Sequence, residues 1–122
     1  MQPKKFKLLS LLNYMIDIFI GKGNIFGKGV FANRSFQKGE IVIRYNLKLL
    51  TKKKLKEISE RDKNFIHTHF GKIYLYSSPE RYVNHSFHPN TKQNHKDKFD
   101  FAIRDIKKGE EITTDASKDD IH

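Results

Sequence analysis

Apolar residues come along this chain in short runs, each ended by glycine, proline or a knot of charge. Ile16, Ile18 and Ile20 alternate at period two and predict a first strand that leads into glycines, with residues 1–15 as an extension ahead of it. Lys38-Gly39 reads as a turn feeding a strand of β-branched Ile41, Val42 and Ile43 that ends at Arg44-Tyr45. Ile73-Tyr74-Leu75-Tyr76 and Phe99-Asp100-Phe101-Ala102-Ile103 predict two more strands. The period changes once, in an insert over residues 48–66. There Thr51 would cap a helix with Leu55, Ile58 and Asp62 on one side and its lysines in solvent. Residues 77–80 and the polar stretch from Thr91 to Lys98 read as loops. The sum is a mainly β fold of short strands with one or two short helices.

Composition narrows this further. A chain of 122 residues has room for one core of ordinary size, so residues 1–122 are read as a single domain. Charged residues make up 31% and hydrophobic ones 37%, globular values on the polar side. The formal charge of +10 would gather polyanions such as nucleic acid or an acidic protein around the chain. Lys48 and Lys52 to Lys54 are the candidates for nucleic-acid contact, set against a merely solvated helix. With no cysteine there is neither a disulfide framework nor a thiolate zinc site. His67 and His69 would share a strand face, but no carboxylate stands near them in sequence, and no metal is expected. Lys4, Lys5 and Lys7 before the run Leu8 to Ile20 imitate a secretory signal. No small-residue cleavage site follows, Asp17 interrupts the run, and it is too short and too polar to cross a bilayer. The expected location is the cytoplasm, or the nucleus or host chromatin.

Two stretches carry more directed chemistry than a fold requires. Arg81-Tyr82-Val83-Asn84-His85-Ser86-Phe87-His88-Pro89-Asn90 is too polar for a core strand, and it offers two amides, an imidazole pair and a hydroxyl beside a rigid proline. It is a recognition inventory or a hydrogen-bonded turn. Upstream, Gly21, Gly23, Gly27 and Gly29 lie close together, ending in Gly27-Lys28-Gly29-Val30-Phe31-Ala32. Glycines at this density let a ligand lie against bare peptide groups. The spacing meets the dinucleotide-binding pattern formally, but neither the long helix nor the later acidic residue of a Rossmann unit follows, and a glycine-rich hairpin competes with both.

These residues resemble the signatures of SET-domain protein-lysine methyltransferases. The decapeptide looks like their Arg-Phe-x-Asn-His-Ser-x-x-Pro-Asn motif, and Gly27 to Ala32 like their Gly-x-Gly-hydrophobic-aromatic-Ala segment. Lys38 to Tyr45 resembles the strand that ends in a channel tyrosine, although Leu47 stands where the family has glycine. Ala102 through Asp115 resembles the closing Ala-x-Arg-Asp-Ile-x-x-Gly-Glu-Glu-Ile-Thr-x-Asp segment. The resemblance implies a fold of short curved sheets closed by a C-terminal pseudoknot, with S-adenosylmethionine as cofactor. It implies cofactor binding by Gly27, Lys28, Gly29, Arg81, Tyr82, Asn84 and His85, and a lysine channel shaped by Tyr45. The partner it implies is a protein with a target lysine, histone-like in kind, with a homodimer as a further expectation.

One position departs from the family where it matters most. A tyrosine is expected directly after Asp115, and Ala116 is there instead. Tyr45, Tyr74 and Tyr76 are the candidates to supply the missing hydroxyl. If none does, the chain is an inactive module that binds cofactor, nucleic acid or chromatin. Residues 117–122, a partner subunit or the substrate must finish the channel. Glu110, Glu111, Asp115, Asp119 and Asp120 are expected as an acidic rim at its mouth.

Overall fold

Among the described residues ten strands, none longer than five residues, form three small sheets rather than one. The structure is a computed structural model that describes residues 17–24 and 27–122. The extension over residues 1–15 and Ile16 of the expected first strand lie outside the described residues.

In the first sheet β1 (Ile18–Lys22) pairs antiparallel with β2 (Lys28–Ala32), which pairs with β10 (Glu111–Thr114). On its other side β10 runs parallel to β7 (Asn84–His85). The second sheet joins β3 (Ile41–Arg44), β9 (Phe99–Ala102) and β8 (Thr91–Asn94) in that order. The third joins β4 (Lys48–Leu49), β6 (Lys72–Leu75) and β5 (Ile66–His69). One core cluster is shared by the first two sheets, built from Ile18, Val30, Ala32, Phe36, Val42, Ile43, Ala102, Ile106 and Ile112.

A repeat that hydrophobic periodicity does not show organises this core. Ala32 to Glu40 reads Ala-x-Arg-x-x-x-Lys-Gly-Glu, and the same pattern returns from Ala102 to Glu110. Each copy makes the same turn. Gly39 and Gly109 sit at φ 94° and 92°, where a side chain is strained. Arg34 pairs with Glu40 and Arg104 with Glu110, at 3.3 and 3.2 Å. The copies then bond to each other reciprocally: the Gly39 N–H donates to the Ala102 carbonyl and the Gly109 N–H to the Ala32 carbonyl. Phe36 and Ile106 exchange backbone bonds at the centre, both almost fully buried.

Two expectations are corrected. The helix expected from Thr51 to Asp62 is broken: α1 spans only Lys52–Lys56, and a separate 3-10 turn runs over Glu60–Phe65. The physical cause is two competing caps. Thr51 accepts from the Lys54 N–H at 3.1 Å and Ser59 from the Asp62 N–H at 3.3 Å, so the second turn starts afresh. The stretch from Thr91, read as loop, begins with strand β8. Its polar side chains are bonded inward rather than alternating with apolar ones: Thr91 is 1% exposed and its hydroxyl donates to the Thr113 carbonyl.

Candidate functional site

Strand β10 brings the two chemical stretches together. Glu111 lies opposite Phe31 of β2, while Thr113 lies opposite Asn84, so the glycine strand and the Asn84-His85 pair flank one strand. Contact between them is direct. The Asn84 side-chain amide donates to the Lys28 carbonyl at 3.0 Å and to Glu111 Oε2 at 2.8 Å. Glu111 Oε1 accepts the backbone N–H of Asn24 at 2.9 Å. At Gly29 any Cβ would lie 2.6 Å from Glu111 Oε2 and 3.1 Å from the Gly23 backbone, so a side chain there would displace the carboxylate. Lys28 Nζ stands 5.3 Å from the centre of the Tyr82 ring. Gly27 opens β2 with φ of 43°.

An open depression of about 600 Å³ adjoins these residues, lined in part by Asn24, Asn84, His85, Phe87 and Glu111. The Phe87 ring is 89% exposed at its lip and meets His85 edge-on at 4.8 Å. His85 Nδ1 accepts the Ala116 N–H at 3.0 Å, which puts the residue after Asp115 against the motif histidine. The second amide of the motif does other work. Asn90 is 1% exposed; its amide donates to the Glu111 carbonyl at 2.8 Å and its oxygen accepts the Thr113 N–H at 2.9 Å. It locks the loop to β10.

Arg81 is placed differently from its neighbours in the motif. Its Nε donates to the Tyr76 carbonyl at 2.9 Å, its guanidinium pairs with Asp62 at 3.3 Å, and it stacks over Phe65 at 4.3 Å. Those contacts tie β6 to the 3-10 turn, not to the glycine strand.

Tyr45 belongs to a second cluster. Its ring lies 6.0 Å from that of Tyr76 and 6.5 Å from His95, and its hydroxyl donates to Asp100. Asp100 is 2% exposed, and burial pushes its carboxyl up to about 8 despite the Tyr45 bond. The Tyr76 hydroxyl donates to the Asp119 carbonyl at 3.2 Å and lies 2.9 Å from His69 Nε2. Burial raises both phenols far above their ordinary range, so both stay neutral. The Tyr74 ring is buried against His69, with Lys98 Nζ 5.6 Å from its centre.

Residues 116–121 fold back over this cluster. Ile121 bridges His69, and their neighbours exchange backbone bonds: Phe70 N–H to the Ile121 carbonyl, Ile121 N–H to the Thr68 carbonyl. Three histidines hold the strap. His69 Nε2 donates to the Asp119 carbonyl at 2.9 Å, His95 Nε2 to the Lys118 carbonyl at 2.6 Å, and His67 pairs with Asp120 at 3.3 Å. Burial, then His95, holds the His69 imidazole down to about 4.

The five carboxylates expected as an acidic rim each have a partner: Glu110 pairs with Arg104, Glu111 accepts from Asn84, Asp115 from Ser117, Asp120 pairs with His67, and Asp119 accepts from Gln93 at 2.8 Å. Among the described residues no group of three or more His, Asp or Glu side chains gathers as a metal site would need. No helix among them is long and apolar enough to cross a membrane. Sequence reasoning missed Asp100, Gln93, His95 and the role of His69. The one available signal was a carboxylate in the middle of the apolar run Phe99 to Ile103.

Comparison with known proteins gives this geometry a family. A family model of the SET domain matches residues 27–115. No curated protein sequence matches the chain. Among solved structures, a candidate histone methyltransferase of Plasmodium falciparum superposes with a TM-score of 0.62 at 23% identity, over 80% of this chain and 90% of that one. The Chaetomium thermophilum Polycomb Repressive Complex 2 bound to GSK126 superposes at 0.68 with 26% identity, over 84% of this chain. The same complex in an autoinhibited, S-adenosylmethionine-bound form gives 0.68 at 24% identity, again over 84%. The chain spans only 16% and 15% of those two longer chains. With the family model covering the glycine strand, the Asn84-His85 pair and the β10 segment that joins them, the chain belongs to the SET-domain family.

Proposed function

We propose that the chain transfers a methyl group from S-adenosylmethionine to the side-chain amine of a lysine in a protein. The observation that carries this reading is the Asn84 amide bonded to the Lys28 carbonyl, which makes one wall out of two distant motifs. The cofactor would supply an electrophilic methyl on a sulfonium. The residues present fit such a ligand. Gly29 lets the Glu111 carboxylate lie against bare backbone, the Lys28 side chain is exposed beside the Tyr82 ring, and the depression next to Asn84 and His85 has the size of a nucleotide-type site.

In this reading Gly27, Lys28 and Gly29 hold the amino-acid end of the cofactor, and Asn84 and His85 hold the adenosine end. Tyr82 backs the glycine strand through Lys28, and Arg81 acts from behind by fixing the approach to Tyr82. The lysine enters past Tyr45, between Tyr76, His95 and the strap over residues 116–121. In this reading the C-terminal segment threads beneath the loop next to Asn84-His85 as the family's pseudoknot does, and the parallel pairing of β7 with β10 supports it. Methyl transfer is an in-line displacement that needs a neutral, aligned amine. Ala116 offers no oxygen to align it. Losing one such group costs on the order of 10²- to 10³-fold in rate.

A second reading is favoured by the same cluster. The hydroxyls of Tyr45 and Tyr76 are both engaged, by Asp100 and the Asp119 carbonyl, so neither stands ready to replace the missing phenol. The chain is then a relative that keeps the cofactor site and has lost turnover. The substrate or ligand in either case is a basic, histone-like protein tail, with a homodimer as the assembly.

Calorimetry with S-adenosylmethionine tests the shared premise. Binding by the protein, lost by at least about tenfold in Asn84→Ala, is expected from removal of a charge-assisting contact. Equal binding by that variant, or none by the parent, sinks both readings. Transfer of labelled methyl to a mixture of basic peptides then separates them.

A further inference from the structure

The segment from Lys48 to Ile58 departs from the rest of the fold. Four of the five residues of α1 are lysine, none of the five is buried, and no acidic side chain stands in its first turn. Lys52 opposes the helix dipole at the N-terminal end, Lys53, Lys54 and Lys56 lie in the last turn, and the four ammonium groups repel one another. Among the described residues, Lys48, Lys52, Lys53, Lys54 and Lys56 take part in no ion pair; the paired lysine of the following turn is Lys63. That repulsion goes uncompensated within the described chain.

Beside this charge lies uncovered apolar surface. Between α1 and β4 runs a groove of about 560 Å³ with Leu49, Leu50, Ile58 and Leu75 on its floor and Lys48 and Lys54 on its rim. Leu49 is 51% exposed, and Leu55 on the helix above is 37% exposed. Glu57 is the single carboxylate on the lining. A nucleic acid would meet the lysines and leave the leucines wet. A second copy meeting this face with its own would set lysine against lysine. An acidic segment with apolar side chains satisfies both features at once.

We propose that the groove between α1 and β4 docks an acidic, leucine-bearing peptide segment of a partner protein, its apolar side chains on the floor and its carboxylates on Lys48 and Lys52 to Lys54. This surface stands apart from the cofactor wall, and the proposal does not rest on methyl transfer.

Fluorescence anisotropy with a labelled Glu-rich peptide carrying interspersed leucines tests it, beside a peptide with serine in place of each leucine and a single-stranded oligonucleotide of equal charge. The leucine peptide is expected to bind at least about tenfold tighter than the serine peptide, as burial of one or two leucine side chains implies. Leu49→Ser and Lys54→Glu, both at exposed positions, should each weaken it several-fold with an unchanged melting temperature. Equal binding of the serine peptide or the oligonucleotide would reduce the surface to a general polyanion site and overturn the proposal. So would the absence of binding, or binding that neither substitution touches.

Discussion

The Tyr45 hydroxyl donates to the buried carboxyl of Asp100, which places the expected channel tyrosine and a carboxyl from the middle of β9 in one hydrogen-bonded pair. The bond fixes the ring against Tyr76 and spends the hydroxyl. Tyr45→Phe should leave an acid with no partner in the core and lower stability by about 1–3 kcal/mol, read from urea unfolding midpoints. An unchanged midpoint would mean that Asp100 finds water or another donor.

Asp100 also sets an alkaline limit. Its carboxyl ionises near 3.8 in an unfolded chain and holds its proton to about 8 in the folded one. Between those values the folded state binds more protons, so stability is complete at low pH and falls as pH rises through 8. From pH 7 to 8.5 the loss should run at roughly 1 kcal/mol per pH unit. Asp100→Asn should flatten that slope in denaturant titrations, and a slope that survives the substitution assigns it to another group.

His69 works in the opposite direction. Its imidazole has an ordinary value of 6.5 and is held down to about 4, so the unfolded chain binds more protons between these limits. Stability present above 6.5 is lost as pH falls toward 4. His67, His95, Tyr76, Asp119 and Asp120 face it, and the Nδ1 atoms of His69 and His95 are buried with no acceptor for a second proton. The amide protons of Phe70 and Ile121 should therefore exchange faster at pH 5 than at pH 7, after correction for intrinsic rates. His69→Phe should remove that difference.

Gly29→Ala tests the wall between the motifs. The added Cβ meets Glu111 Oε2 at 2.6 Å and the Gly23 backbone at 3.1 Å, so the carboxylate that holds both Asn84 and Asn24 must move. Cofactor affinity should fall by more than about tenfold for a misplacement of this size, while far-ultraviolet circular dichroism stays the same. Full affinity in the variant would separate Glu111 from the cofactor site.

Ala116→Tyr should raise methyl transfer on the order of 10²-fold, measured with labelled cofactor, if the missing phenol is what limits the rate. No gain would show that the chain already aligns its amine by other means.

Much of the site was legible because its chemistry is written in contiguous residues. Asn84-His85 and Gly27-Lys28-Gly29 announce themselves by side-chain type, and their meeting on β10 follows from the family pattern. What stayed hidden depends on tertiary partners. β8 carries no apolar alternation, since Thr91 and Gln93 point inward to bond with Thr113, Thr114 and Asp115. Asp100 reads as the polar side of a surface strand until its burial is seen. His69 and His95 lie far apart in sequence, and only the backfolded strap makes their rings neighbours at 4.3 Å. The helix at Thr51 was over-extended because its charge pattern hid the second cap at Ser59.

The reciprocal bonds between the turns at Gly39 and Gly109 bear on how the chain reaches this state. Each turn closes its own short bond, Glu40 N–H to the Gln37 carbonyl and Glu110 N–H to the Lys107 carbonyl, but the glycine N–H of each reaches across to the other copy, so the early half cannot finish its core until the late half has arrived. Contacts of such large sequence separation place the protein among slow folders, where loop closure comes before any reward from packing. A nascent chain leaving the ribosome would carry Phe36 and Val42 uncovered until Ala102, Ile106 and Ile112 have emerged.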